Sequence, residues 1–159
     1  MKSPLLALFA LTLLAAPIAA QKGSYSLFGS GCNQATFVNQ GVPTIGQSHQ
    51  LVLGAKVKPP RHPIGVLNFG VSDKLYGGTI PLPVDLTALG GKGCSIYIST
   101  ELSIAPLPTS ATGLTVTVPV PNDRSLIGAI YFNQFIFFSP LEPGLPFSLS
   151  NAGKAVIGG

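Results

Sequence analysis

A chain of 159 residues allows one domain. At 46% hydrophobic and 9% charged residues, with 9 Lys and Arg against 5 Asp and Glu, it is not a disordered or acidic solvating segment, because it can bury enough apolar surface to offset its ordering entropy. The 19 Gly and 15 Pro exclude long helices, since each weakens a helix interior, and leave a compact all-β domain with many turns.

Residues 1–20 read as an export leader. Lys2 supplies a positive start, Leu5 to Ala16 form an apolar run too short to span a bilayer as a mature helix, and Pro17 breaks it. Ile18-Ala19-Ala20 offers a cleavage site before Gln21, so residues 21–159 form the expected domain, secreted or held at the cell surface or periplasm. No cysteine lies near that junction, and a lipid anchor there is not expected. The same leader accounts for much of the chain's hydropathy.

Further along, alternation of apolar and polar residues predicts strands over Tyr25–Phe28, Ala35–Asn39, Gln50–Ala55 and Ile64–Val71. In Cys94–Ser99 the inward set is Cys94, Ile96 and Ile98, and in Leu114–Val118 it is Leu114, Val116 and Val118. Ile130–Phe138 is apolar on both faces except for Asn133 and Gln134, the pattern of a central strand whose polar pair is hydrogen-bonded. Phe147–Ser150 and Lys154–Ile157 complete a set of about eight or nine short strands, which points to a single antiparallel β-sandwich. Export makes a Cys32–Cys94 disulfide the simplest reading of the two cysteines, because neither sits in a metal-ligand or CxxC spacing.

One pattern occurs twice. Pro81-Leu82-Pro83-Val84-Asp85-Leu86-Thr87-Ala88-Leu89-Gly90 aligns with Pro119-Val120-Pro121-Asn122-Asp123-Arg124-Ser125-Leu126-Ile127-Gly128. The prolines end a strand because they cannot donate to a ladder. Asp85 and Asp123 are expected to cap one or two single-turn helices, Leu89 and Ile127 to enter the core, and Gly90 and Gly128 to supply a left-handed exit. An acid/base pairing of the two aspartates is the alternative, and capping accounts for more of the neighbours.

Read in order, Phe28-Gly29-Ser30-Gly31-Cys32, Gly41 to Gly46, Leu82 to Leu86, Gly93-Cys94, Pro119 to Asp123, Ser125 to Gly128, Asn133-Gln134-Phe135 and Ser148 to Asn151 form a series. In that order the chain resembles a β domain of unknown function that recurs, often at the C-terminal end, in secreted proteins of planctomycetes and other environmental bacteria. Members usually carry Tyr and Trp where this chain has Phe28 and Phe135, which keep an aromatic filler and lose its polar handle. The resemblance implies an extracellular β domain with a paired Cys, and no biochemical role.

Catalytic chemistry finds little support. His49 and His62 are the only imidazoles, and neither sits in a metal-ligand motif, so no metal and no cofactor are expected. A satisfied loop or surface histidine is the expected role, and five acidic residues make a paired-carboxylate hydrolase hard to assemble. The protein is therefore expected not to be an enzyme. The densest charge is Lys56, Lys58, Arg61 and His62, read either as a basic loop meeting an acidic polysaccharide or, preferably, as a Pro-stiffened connector whose lysines guard an edge. Among Tyr25, Tyr76, Tyr97 and Tyr131, sheet packing is expected for Tyr97 and Tyr131, while Tyr76 before Gly77-Gly78 is the best candidate for a sugar-stacking contact.

The expected role is thus structural or interactive, with cell-surface polysaccharide or another secreted protein as partner. A carbohydrate-binding module using exposed tyrosines and the basic loop is the alternative. Nucleic acid is not an expected partner, and neither is insertion across a membrane, because the strands are short and broken by Pro and Gly. A pilus-type subunit would need an incomplete sandwich that accepts a neighbour's strand, and no alternating extension follows Gln21 to donate one.

Overall fold

The computed structural model describes residues 21–33, 35–54, 64–108, 114–138 and 147–159. Residues 1–20, Ala55 and the basic residues Lys56, Lys58, Arg61 and His62 lie outside the described residues. The chain order is β1 (Ser24–Phe28), β2 (Thr36–Gln40), β3 (Ser48–Gly54), β4 (Ile64–Gly70), β5 (Leu75–Tyr76), β6 (Ile80–Pro81), β7 (Val84–Asp85) and β8 (Ser95–Ile96). There follow β9 (Leu102–Pro108), β10 (Leu114–Pro119), β11 (Ile130–Phe138) and β12 (Phe147–Val156), with single 3-10 turns at Thr87–Leu89 and Arg124–Leu126. Eight longer strands form two antiparallel sheets, one of five in the order β1-β12-β11-β4-β9 and one of three in the order β10-β3-β2. No described helix is long and apolar enough to cross a membrane.

The strict alternation of Leu114 to Val118 survives folding unchanged. Leu114, Val116 and Val118 pack inward while Thr115 and Thr117 face solvent. They share one core with Phe37, Leu51 and Leu53 of their own sheet and with Leu67, Phe135 and Phe137 of the facing one, all buried. The Phe37 and Phe135 rings meet edge to face at 5.5 Å, a geometry that aligns ring edge with ring face.

β11 is central, and its two apolar faces have separate partners. One face meets the three-stranded sheet. Against the other lies residues 71–101, a long excursion between the paired strands β4 and β9. From it Leu86 and Cys94 pack with Ile136, Phe147 and Leu149, and Ile98 packs with Phe132 and Ala152. Gln134 fastens this arm, donating to the carbonyls of Ser95 and Ser150 and accepting from the Tyr97 amide at 3.0 Å. The Cys32–Cys94 disulfide, Cα–Cα 5.0 Å, ties the arm to the chain beside β12 and closes a 62-residue separation. A loop of that length is stabilised by roughly 4 kcal/mol in the chain-entropy treatment.

Several expectations need correction. Leu89 does not enter the core and is 73% exposed, whereas Leu86 is buried in its place. The difference follows from the two positions on a single turn: the buried flank of Leu86 leaves Leu89 facing out. Cys94–Ser99 is a strand only over Ser95–Ile96, because the backbone is then taken up by Gln134 and Ser72 rather than by a ladder. Phe147–Ser150 and Lys154–Val156 belong to one strand, β12, that runs through a register shift opposite Gln134 and Ile136, and Ile157 lies just beyond its end. β9 was not anticipated, since Pro106 and Pro108 argue against a strand; it is an edge strand, where proline is tolerated.

Candidate functional site

The aspartates behave as local caps. Asp123 precedes the turn at Arg124–Leu126 in extended backbone and accepts from the Ser125 amide at 2.9 Å. Asp85 accepts from the Thr87 amide at 2.7 Å, although Leu86 holds the cap position itself. In both cases hydrogen bonds from the residue two ahead hold the carboxyl below its usual range. Gly90 and Gly128 share φ of 84°, the left-handed exit that a side chain would strain. The second copy is bonded to the residues after β12, by Gly128 N–H to the Ile157 carbonyl and Ile157 N–H to the Ala129 carbonyl, and the first to the segment that carries the disulfide, by Leu86 N–H to the Cys94 carbonyl.

His49 is neither a loop nor a surface histidine. It lies on β3, 1% exposed, between the two sheets. Asn39 donates from Nδ2 to the Gly41 carbonyl, which turns its Oδ1 toward His49 Nδ1 at 2.5 Å. Nδ1 therefore carries the proton, and Nε2 accepts from the Tyr131 hydroxyl at 2.5 Å. Burial lowers the imidazole pKa, which keeps the ring neutral in this arrangement. Beside it, Tyr25 donates to Asn133 Oδ1 at 3.0 Å, and burial raises the pKa of both Tyr25 and Tyr131. Asn133 Nδ2 has no partner among the described residues. A base sealed from solvent and engaged on both nitrogens is placed to hold two sheets together rather than to abstract a substrate proton.

Tyr97 reaches from the arm to Ser30, whose amide donates to its hydroxyl at 3.1 Å. Tyr76 sits half-buried on the β5–β6 hairpin, between exposed Leu75 and Ile80. The structure brings no second tyrosine to it through a ring contact among the described residues. The ends of the basic segment, Gly54 and Ile64, stand where β3 leaves one sheet and β4 enters the other.

A further surface emerges from the unequal widths of the sheets. On one side the sandwich is closed: Asn151 of β12 bonds the Phe37 amide at 2.8 Å and its carbonyl at 3.1 Å, occupying the free edge of β2. Among the described residues the other side is open. β10 has β3 as its only paired strand among the described residues, and it lies over β4, where Leu114 comes close to Gly65 and Val118 and Phe69 line one hollow. β9 therefore projects beyond it. Register places Ile104 opposite Leu67 and Leu102 opposite Phe69, on the inner face, yet Leu102 is 58% and Ile104 40% exposed. Next to them opens an apolar hollow of about 210 Å³ between Phe69, Val118, Pro119, Val120, Tyr131 and Ile157.

That open side escaped sequence reading because its floor comes from the unanticipated β9. The available signal was the absence of any charge from Leu114–Pro119, since exposed edges ordinarily carry one. No family model, no curated protein and no solved structure matches the chain.

Proposed function

We propose that the chain is an exported, non-catalytic module of the cell exterior whose role is attachment or assembly with another secreted or surface component. The observation that carries this reading is the buried Cys32–Cys94 bond, which clamps the arm to the five-stranded sheet and belongs to an oxidising compartment. The leader-like residues 1–20 agree with it.

The resemblance to the planctomycete-type secreted domain also agrees in a specific way. Its series includes Cys32, Cys94, Gln134, Ser150 and Asn151, and these residues make the cross-links between arm, sheets and edge. A set of motif residues spent on architecture suits a scaffold that presents its exterior to a partner. The buried His49, bonded on both ring nitrogens, suits a structural role.

The test is fractionation of the expressing cells with thiol labelling of the recovered protein. The expected result is protein outside the cytoplasm, processed before Gln21, with both cysteines inaccessible until reduction. Cytoplasmic protein with free thiols, or hydrolysis of ester or glycoside substrates that disappears in His49→Ala, would overturn the proposal.

A further inference from the structure

We infer that the open side is a strand-acceptor groove, in which an extended and uncharged segment of a partner protein adds to β10 as the fourth strand of the smaller sheet. The inference rests on the interaction role proposed above and names the surface that performs it. Three features of the groove specify its occupant.

The first is the edge itself. In an antiparallel strand alternate residues direct N–H and C=O groups away from the paired neighbour, so β10 presents a row of donors and acceptors to an incoming chain. The opposite edge of the same sheet is blocked by the Asn151 carboxamide, so addition is directed to one side.

The second is the projecting floor. Neighbouring strands lie about 4.8 Å apart and stacked sheets about 10 Å apart, so a strand added to β10 would rest over β9. Its inward side chains would cover Leu102 and Ile104, and one large apolar side chain at its end would enter the hollow beside Phe69 and Tyr131. The same projection rejects a second folded copy. A sandwich joining edge to edge would bring its own second layer into the space that β9 already fills, so only a strand without a backing sheet fits.

The third is charge. None of the residues of Leu102–Pro108 or Leu114–Pro119 is charged, so a charged side chain facing the floor would be buried without a partner. The occupant is therefore a neutral segment with apolar residues at every second position.

The experiment uses the exported chain, residues 21–159, and a capped heptapeptide alternating threonine and valine, with a control peptide carrying glutamate in place of each valine. Hydrogen exchange is followed residue by residue. The expected result is slowing of exchange within Leu114–Pro119 by the first peptide alone, and affinity at least about tenfold weaker in a Leu102→Lys, Ile104→Lys variant of unchanged melting temperature. Should the double variant melt early, Leu102→Lys alone carries the comparison, because that side chain is the more exposed of the two. Protection elsewhere, equal binding of the glutamate peptide, or concentration-dependent self-protection of β10 without peptide would overturn the groove assignment. If a secreted or surface partner is still captured by the double variant, the groove fails and the interaction role stands; a protein found in the cytoplasm with free thiols removes the role itself.

Discussion

The carboxamide of Asn151 meets the backbone of Phe37 as a neighbouring strand would, accepting from its amide at 2.8 Å and donating to its carbonyl at 3.1 Å. A single side chain from the large sheet thereby closes an edge of the small one. Asn151→Ala removes both bonds and leaves an amide and a carbonyl at a half-buried edge, so a loss of about 1–3 kcal/mol is expected. Urea unfolding measures it, and a midpoint equal to that of the parent would refute the assignment. Light scattering at raised protein concentration should increase as well, because the freed edge can pair with another chain.

His49 and the half-buried Tyr25 and Tyr131 give stability a limited pH range. Burial lowers the His49 pKa, so between that value and about 6.5 the unfolded chain binds more protons than the folded one, and stability falls as pH drops through this window. Burial raises the pKa of Tyr25 and Tyr131, so above about pH 10 the unfolded chain releases protons that the folded one retains, and stability falls as pH rises. Urea midpoints collected from pH 4 to 11 should therefore form a plateau with two descending limbs. His49→Gln should flatten the limb just below about pH 6.5 and leave the alkaline one in place.

The two caps should differ in consequence. Both carboxyls are held below their usual range by hydrogen bonds, so their contribution is present above about pH 4 and disappears as pH falls through the lowered values. Asp123 anchors a turn that is bonded through Gly128 to Ile157 just past β12, whereas the turn after Asp85 is bonded to Cys94, which the disulfide already holds. Asp123→Ala is expected to lower the melting temperature more than Asp85→Ala at pH 7, and the gap between each variant and the parent should close near pH 3. Equal and pH-independent effects would contradict capping.

Gly153 is a packing requirement. The Tyr25 ring lies across it on the way to Asn133, and a Cβ at this position would collide with the ring and its hydroxyl. Gly153→Ala should displace Tyr25, break its bond to Asn133 and cost about 1–3 kcal/mol, as overpacking does. The change in Tyr25 environment can be followed by near-ultraviolet circular dichroism, and an unaltered tyrosine signal would exclude the collision.

Legibility in the sequence followed the reach of each interaction. Alternation within five residues identified β10 and the doubly covered β11, because side-chain period is a local property. The repeat around Asp85 and Asp123 was readable for the same reason, down to the shared left-handed glycines. What escaped depends on distant partners. Leu86 rather than Leu89 is buried because the disulfide fixes which flank of that turn meets β12. His49 gave no sign of burial, since its partners Asn39 and Tyr131 come from two other strands in different sheets. The groove was hidden because its floor belongs to a proline-bearing edge strand, for which periodicity gives no warning.

The pairing of Ser24 with Val156, extended by the bond from Gly159 N–H to the Gln21 carbonyl, brings residues 21 and 159 side by side. Tension drawn through these two points would unzip β1 from β12 one rung after another, a mode that yields at low force, instead of sliding the strands along each other. The unzipping would stop at Cys32. From there the load passes through sulfur to Cys94, and the residues between them bear none of it. Single-molecule pulling should accordingly record a contour-length gain that omits this loop until a reductant is added, so the domain would act as an extensible tether with a covalent stop.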